Sequence, residues 1–311
     1  MPRSIRQLRA EGRKRLLESW LGNDSYLAQS RTNSALDVDV LLSFVTGIDR
    51  VGLLTESEQE IDDTLATQFL KLIERRAAHE PVAYLTGVRE FYGRDFVVSP
   101  AVLIPRPETE LLVECAVRTL NDLLASAAHG ILFLDIGTGS GAILLTTLLE
   151  VAARHGEAAL SRIIAVGVDL SHDALAIATQ NLHRLGCSQQ NVWFVQGDLL
   201  SAVSELPNFD ALLIVSNPPY IESAAVLPLD VACFEPALAL FGGEQGLDLI
   251  AELIAQSFRR LSQIPGALLF EIGSGQADKV VSLLPECPAH VSQLLEDLHG
   301  VRRVCAVQVG I

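Results

Sequence analysis

The chain of 311 residues has no C-x-x-C pair among its five cysteines, little positive charge and no long apolar run. Each shortage excludes something. Cys115, Cys187, Cys233, Cys287 and Cys305 are scattered, which argues against a zinc ribbon or a disulfide framework and suits a reducing cytosol. No metal site is expected. No stretch reaches the roughly 18 apolar residues of a membrane span. The first residues show no h-region, so a secretory leader is not expected and the expected location is cytoplasmic. Lys and Arg number 23 against 38 Asp and Glu, a formal net charge of −15. A protein that grips nucleic acid through its phosphates needs the opposite balance. Charged residues make up 20% and hydrophobic ones 49%, too apolar for a disordered chain. The length suits one large domain plus a smaller one. The sequence has no internal repeat and no low-complexity tract.

The charge is uneven. Arg3, Arg6, Arg9, Arg13, Lys14 and Arg15 face only Glu11 and Glu18 near the start. Such an amphipathic segment can be a partner-binding face, a targeting peptide or the solvated face of a helix. Ile5, Leu8, Leu16, Leu17 and Trp20 look like packing positions and favour the helix. Residues 1–80 read as a helical domain. Ser34 is placed to cap a helix over Ala35–Val45, with Gly47 just past its end. Thr55 and Glu58 fit a capping box before a helix running to about Ala78, and Pro81 stops helical structure. Residues 81–104 form a linker in which Glu90–Val98 alternates as a hairpin, with Gly93-Arg94-Asp95 as its turn.

From residue 105 to residue 311 strands and helices alternate. Strands are expected at Ile131–Ile136, Ile163–Val168, Val192–Val195, Asp210–Val215, Ala267–Ile272, Val291–Leu295 and Arg303–Val309. Helices are expected near Ala142–Arg154, Asp173–Leu185, Leu247–Leu261 and Gln276–Leu284. The pattern predicts an α/β fold: a doubly wound, mainly parallel sheet with right-handed crossovers. The short connection Glu296–Gly300 predicts an antiparallel hairpin at one edge.

The first of these strands runs into Gly137-Thr138-Gly139-Ser140-Gly141-Ala142 before a helix. Glycines allow a tight turn and close approach of a ligand. The loop matches both the dinucleotide fingerprint G-x-G-x-x-(G/A) and the G-x-G-x-G loop that holds the methionyl part of S-adenosylmethionine. Asp169 ends the next strand, where a carboxylate can accept bonds from both ribose hydroxyls. Asp198 follows the third strand; its carboxylate can accept from an adenine amino group, and the Leu199 N–H can donate to a ring nitrogen. Three such positions at successive strand ends suit an adenosyl ligand across the switch point.

After Phe209–Val215 comes Ser216-Asn217-Pro218-Pro219-Tyr220. Two prolines cannot continue a central strand, so the backbone leaves the sheet at Asn217 with an amide, fixed carbonyls and an aromatic ring. This stretch resembles the motif of methyltransferases that alkylate a planar, weakly basic nitrogen. The Asn217 side-chain oxygen and the Pro218 carbonyl can fix the two N–H groups of such a nitrogen, and Tyr220 can pack on its plane. Those carbonyls stabilise the charge that moves to nitrogen, and positioning supplies much of the rest. No general base is required.

Beyond these marks stand Glu90-Phe91-Tyr92-Gly93, Leu103-Ile104-Pro105-Arg106-Pro107-Glu108-Thr109-Glu110, Phe234-Glu235-Pro236-Ala237-Leu238-Ala239-Leu240 and Glu271-Ile272-Gly273. With them the sequence resembles the HemK/PrmC family of protein-glutamine methyltransferases over nearly its whole length. The resemblance implies a helical N-terminal substrate-recognition domain, a connecting β-hairpin and a seven-stranded methyltransferase domain. It implies S-adenosyl-L-methionine as cofactor and, as partner and substrate, the Gly-Gly-Gln loop of a peptide chain release factor. Gly137, Thr138, Gly139, Ser140, Gly141, Asp169, Asp198, Leu199 and Asn217 would then bind cofactor, and Asn217, Pro218, Pro219 and Tyr220 would hold the glutamine. Pro107, Glu108 and Glu110 also suit the start of a helix on their own account.

An adenine-N6 methyltransferase of DNA or RNA would use the same acceptor cluster, but the acidic balance opposes it. A nucleotide-dependent oxidoreductase has no use for Asn217–Tyr220, and a non-catalytic adenosyl-binding module would bind cofactor and label nothing. The long segment Ile221–Gln245 has few element signals and is expected to form a lid over the substrate.

Overall fold

The computed structural model describes residues 2–20, 24–127, 130–187, 190–203, 209–285 and 290–311. Cys287 lies outside them. By compactness the chain divides into Met1–Val88 with Val226–Phe234, and Arg89–Ala225 with Glu235–Ile311.

The first unit is built on helices α1 (Ile5–Trp20), α2 (Asp24–Thr46) and α3 (Asp63–Ala77). Helix α1 buries Ile5, Leu8, Gly12, Leu16 and Trp20, one stripe at helical spacing. Leu41, Leu42, Phe69 and Ile73 complete that core. Several basic side chains of α1 are matched within the unit: Arg9 meets Asp39 at 2.7 Å, and Arg15 meets Glu11 at 2.6 Å and Glu74 at 3.2 Å. The charge run is a helix face.

Three local expectations are corrected here. Helix α2 begins ten residues before Ser34, which is a buried interior residue rather than a cap. Asp24–Asn33 contains no Pro or Gly, so nothing stops the helix from starting early. Helix α3 is capped by Asp62, whose side chain accepts from Thr64 N at 2.8 Å; Thr55 ends a separate turn, Gly52–Thr55. Pro81 does not end helical structure but occupies the N-cap of a short helix, Val82–Thr86, where its missing N–H is not needed.

The hairpin pairs β1 (Val88–Phe91) with β2 (Arg94–Val97). Its turn is Tyr92-Gly93, not Gly93-Arg94-Asp95. Both residues have positive φ, 52° and 72°, as a two-residue hairpin turn of matching twist requires. Glu110 accepts from Tyr92 N at 2.9 Å and Glu90 accepts from Gly93 N at 2.6 Å, which holds a tyrosine in this unfavourable region.

The second unit continues with α4 (Glu110–Ser126), β3 (Ile131–Ile136), α5 (Ala142–His155), β4 (Ile163–Asp169), α6 (His172–Arg184), β5 (Val192–Gln196) and β6 (Ala211–Ser216). Then come α7 (Asp248–Leu261), β7 (Gly266–Glu271), α8 (Ala277–Leu283), β8 (His290–Glu296) and β9 (Arg302–Val309). The sheet has seven strands in the order β8-β9-β7-β6-β3-β4-β5. Strands β7, β6, β3, β4 and β5 run parallel, and β9 is antiparallel to both β7 and β8. The α/β, doubly wound expectation and the antiparallel edge hairpin both hold. Strands β3, β6 and β7 are buried along their whole length, which is why each reads as an unbroken apolar run. Ile131, Phe133, Leu213 and Leu269 pack on one face of the sheet, and Leu132, Leu134, Ile214 and Phe270 on the other.

The register sets up the site. Ile136 lies opposite Val168 on one side and Ser216 on the other, and Ser216 lies opposite Phe270. Gly137 and Asn217 therefore leave the sheet, and Asp169 and Glu271 end their strands, along one edge that includes the point between β3 and β6 where the strand order reverses. Just past β6 the chain is fastened again: Ile221 N donates to Leu240 O at 3.0 Å and Ser223 N donates to Gly243 O at 2.9 Å. Only Val226–Phe234, between these fastenings, is grouped with the first unit.

Candidate active site

Gly137 and Thr138 both donate from backbone N–H to Val168 O, at 2.8 and 2.9 Å, which folds the loop over the end of β4. Gly137 and Gly139 have φ of 72° and 54°, and no atom lies within 4 Å of where a Cβ would stand. The open side of the loop is a cradle that any larger residue would fill. Thr138 and Ser140 are buried. The fully buried Asn181 of α6 reaches under the loop: its amide donates to Ser140 O at 2.9 Å and Val97 O at 3.0 Å, and its oxygen accepts from Val97 N at 2.7 Å. One side chain thus ties the glycine loop to the hairpin.

Asp169 is half-buried at the end of β4. Its two oxygens accept from Gly139 N and from Ser171 N, each at 2.9 Å. Ser171 caps α6 through Ala174 N, so Asp169 is not itself the cap. The carboxylate faces the loop with lone pairs left over. Asp198 is exposed after β5. Leu199, next to it, has φ of 47°, a conformation that a bulky side chain rarely accepts.

Asn217 donates through Nδ2 to Thr109 Oγ1 at 3.1 Å, which turns its Oδ1 the other way. Pro218 is buried, and Pro219 and Tyr220 are half-buried. The Tyr220 hydroxyl donates to Glu271 Oε1 at 3.0 Å, and the Thr109 hydroxyl donates to Glu271 Oε2 at 2.6 Å. Gln276 donates to Tyr220 O at 3.0 Å and accepts from Gly273 N at 2.8 Å. Burial and the adjacent Glu271 carboxylate push the Tyr220 hydroxyl well above its ordinary range, so it stays protonated. Arg106 pairs with buried Glu235, which also accepts from Ile104 N at 3.2 Å. Two sequence marks far apart in the chain, 103–110 and 234–240, are thereby joined.

Sequence reasoning gave no role to Asp135, Thr109 or Glu271. The signal for the two acids is a lone carboxylate inside an apolar strand: Leu-Phe-Leu-Asp-Ile and Leu-Leu-Phe-Glu-Ile. Asp135 is 0% exposed. Its Oδ2 accepts from Thr138 Oγ1 at 2.7 Å and Leu144 N at 3.3 Å, while Oδ1 has no partner among the described residues. Desolvation raises its pKa to about 7 against those two bonds. The folded protein then binds a proton there that the unfolded chain has released, so stability falls as pH rises from about 4 to about 7. One such group contributes a slope of ~1.4 kcal/mol per pH unit. Denaturant unfolding of the ligand-free protein between pH 5 and pH 7 should show this slope, and Asp135→Asn should flatten it; equal slopes would refute the assignment. Among the described residues no cluster of His, Cys, Asp and Glu could hold a metal ion.

A seven-stranded sheet of this order, a glycine loop after β3 and an Asn-Pro-Pro-Tyr corner after β6 define a methyltransferase. The family model for the PrmC N-terminal domain matches residues 24–87, and that for the methyltransferase small domain matches residues 109–233. The release factor glutamine methyltransferase of Koribacter versatilis is 40% identical over 86% of this chain and 89% of its own length. That of Bradyrhizobium diazoefficiens is 39% identical over 88% of this chain and 87% of its own. The chain belongs to the release factor glutamine methyltransferase family. The catalytic domain of hMettl16, in complex with MAT2A 3'UTR hairpin 1, shares the fold, with a TM-score of 0.53, 14% identity and cover of 88% of this chain and 91% of that one.

Proposed function

We propose that this enzyme methylates the side-chain amide nitrogen, N5, of the glutamine in the Gly-Gly-Gln loop of a peptide chain release factor, using S-adenosyl-L-methionine. The observation that carries this is the Asn217 amide: Nδ2 is committed to Thr109, which leaves Oδ1 as an acceptor at the carboxyl edge of β6, one strand from the glycine loop. The family membership supports the glutamine as the group accepted.

The residues present fit the cofactor. The cradle at Gly137 and Gly139 suits the methionyl part, with Thr138, Ser140 and Gly141 shaping it. The buried Oδ1 of Asp135 under the loop is an acceptor to which none of the described residues donates. Asp169 holds the ribose, and Asp198 with the Leu199 N–H holds the adenine. When bound, the sulfonium supplies an electrophilic methyl group.

The chain's own residues do the rest. Asn217 Oδ1 and the Pro218 carbonyl accept the two N–H groups of the glutamine amide and turn its lone pair toward the methyl. Pro219 keeps this corner rigid, and Tyr220 packs against the amide plane. As positive charge develops on nitrogen the two carbonyls stabilise it, and the alkylated nitrogen releases its proton without a dedicated base. The helical domain, residues 1–80, recognises the release factor, the linker 81–104 joins it, and residues 105–311 carry the chemistry. The segment Ile221–Gln245 closes over the glutamine. We place the enzyme in the cytoplasm, where release factors act; among the described residues no helix is long and apolar enough to cross a membrane.

Incubation with tritiated cofactor and a release factor should label the protein, and mass spectrometry should place one added methyl on the glutamine. Label that survives replacement of that glutamine would refute the reading. Asp169→Ala is expected to weaken cofactor binding about ten- to hundredfold, the loss of a charged hydrogen bond. Calorimetric titration with S-adenosyl-L-methionine measures it; an unchanged affinity would remove Asp169 from the site.

A further inference from the structure

Glu271 ends β7, is 1% exposed and accepts two hydroxyl donors, one on each oxygen. An ionised carboxylate only accepts, so both hydroxyls must point their hydrogens at it. Thr109 then has only its lone pairs for Asn217, and Asn217 must meet them with its NH2. The direction of each bond in the chain Asn217–Thr109–Glu271 follows from the charge at its far end. Tyr220, on the second oxygen, is fixed by the same group.

We propose that Glu271 and Thr109 are positioning residues that orient the Asn217 amide, so that the substrate meets Oδ1 and not Nδ2. The inference rests on the methyl-transfer reading above. A protonated Glu271 carries an O–H and can donate to Thr109. Thr109 can then donate to Asn217, and the amide turns over to present an NH2, which repels the substrate's own N–H groups. The Glu271 pKa is raised, first by burial and further by Glu108, against the bonds from Thr109 and Tyr220 and the charge of Arg303, which lower it; Arg106 faces Tyr220. The active form is the ionised one, so activity declines as pH falls through the Glu271 pKa.

The test is steady-state methylation of a release factor by wild type, Thr109→Val, Thr109→Ser and Glu271→Gln, across pH. Valine keeps the shape of threonine without a hydroxyl. Thr109→Val should lower kcat about twentyfold, with KM for the release factor and calorimetric affinity for S-adenosyl-L-methionine unchanged. Thr109→Ser should restore most of the rate. Glu271→Gln should be slow and should lose the acidic limb of the wild-type profile. A wild-type kcat in Thr109→Val, a Thr109→Ser enzyme no faster than Thr109→Val, or an unaltered acidic limb in Glu271→Gln would each overturn the relay while wild type still methylates glutamine. A wild type that labels nothing would instead overturn the methyl-transfer reading, and this inference with it.

Discussion

Asn217→Ala is expected to lower kcat for glutamine methylation about 10³-fold, at the upper end of what one preorganised polar group contributes to a transition state. The side chain has one role in holding the substrate and one in stabilising the positive charge that grows on nitrogen, and alanine removes both. The Pro218 carbonyl remains, so residual activity above background is expected. Cofactor contacts from the glycine loop, Asp169 and Leu199 do not pass through Asn217, and the affinity for S-adenosyl-L-methionine should stay near that of wild type. Labelled-methyl assays beside calorimetry separate the two quantities. More than a tenth of wild-type kcat would show that the amide does not hold the reacting nitrogen.

Gly246→Ala is expected to be the next most severe change, lowering kcat about 10²-fold from a displacement on the order of 1 Å. A Cβ on Gly246 would stand 2.1 Å from Tyr220 O, a backbone atom that cannot swing aside. Gly246 also has φ of 68°, which costs an alanine roughly 1–2 kcal/mol. The two effects can be separated with Gly300→Ala. Gly300 has φ of 74° in the edge hairpin and no atom within 4 Å of its Cβ position. That variant should lose comparable stability in thermal melts and keep its kcat. If Gly246→Ala also keeps its kcat, the Pro219-Tyr220 backbone is not held in place by this contact.

The parallel sheet was legible almost residue by residue. Strands buried on both faces must be apolar throughout, and β3 spans Ile131–Ile136 as its apolar run predicts. Glycine loop and proline corner were legible because each needs a backbone geometry that few residues supply. The helical domain was read less well. Ser, Thr and Asp signal a cap only where the chain before them is barred from helix, and that depends on neighbours such as the Glu60–Ile61 pairing with Arg3–Ser4. Thr109 and Glu271 were missed for a different reason. They are 162 residues apart and meet only because α4 starts beside the end of β7. Sequence shows a carboxylate in an apolar strand but not the hydroxyls it serves.

The excursion of Val226–Phe234 into the first unit means that the chain passes between the units three times: after Val88, after Ala225 and after Phe234. A single tether would let one unit depart when it is cut. Here a nick after Ala225 or after Phe234 leaves Val88 joined to Arg89, and a nick after Val88 leaves residues 1–88 held to the rest by packing on 226–234, without a covalent link. A truncation after Val88 would also take the helical unit away without its nine-residue contribution from 226–234. Limited proteolysis between Val88 and Arg89 should therefore leave a complex that does not come apart on gel filtration, although the same cut made in the gene removes a piece of the first unit's own fold.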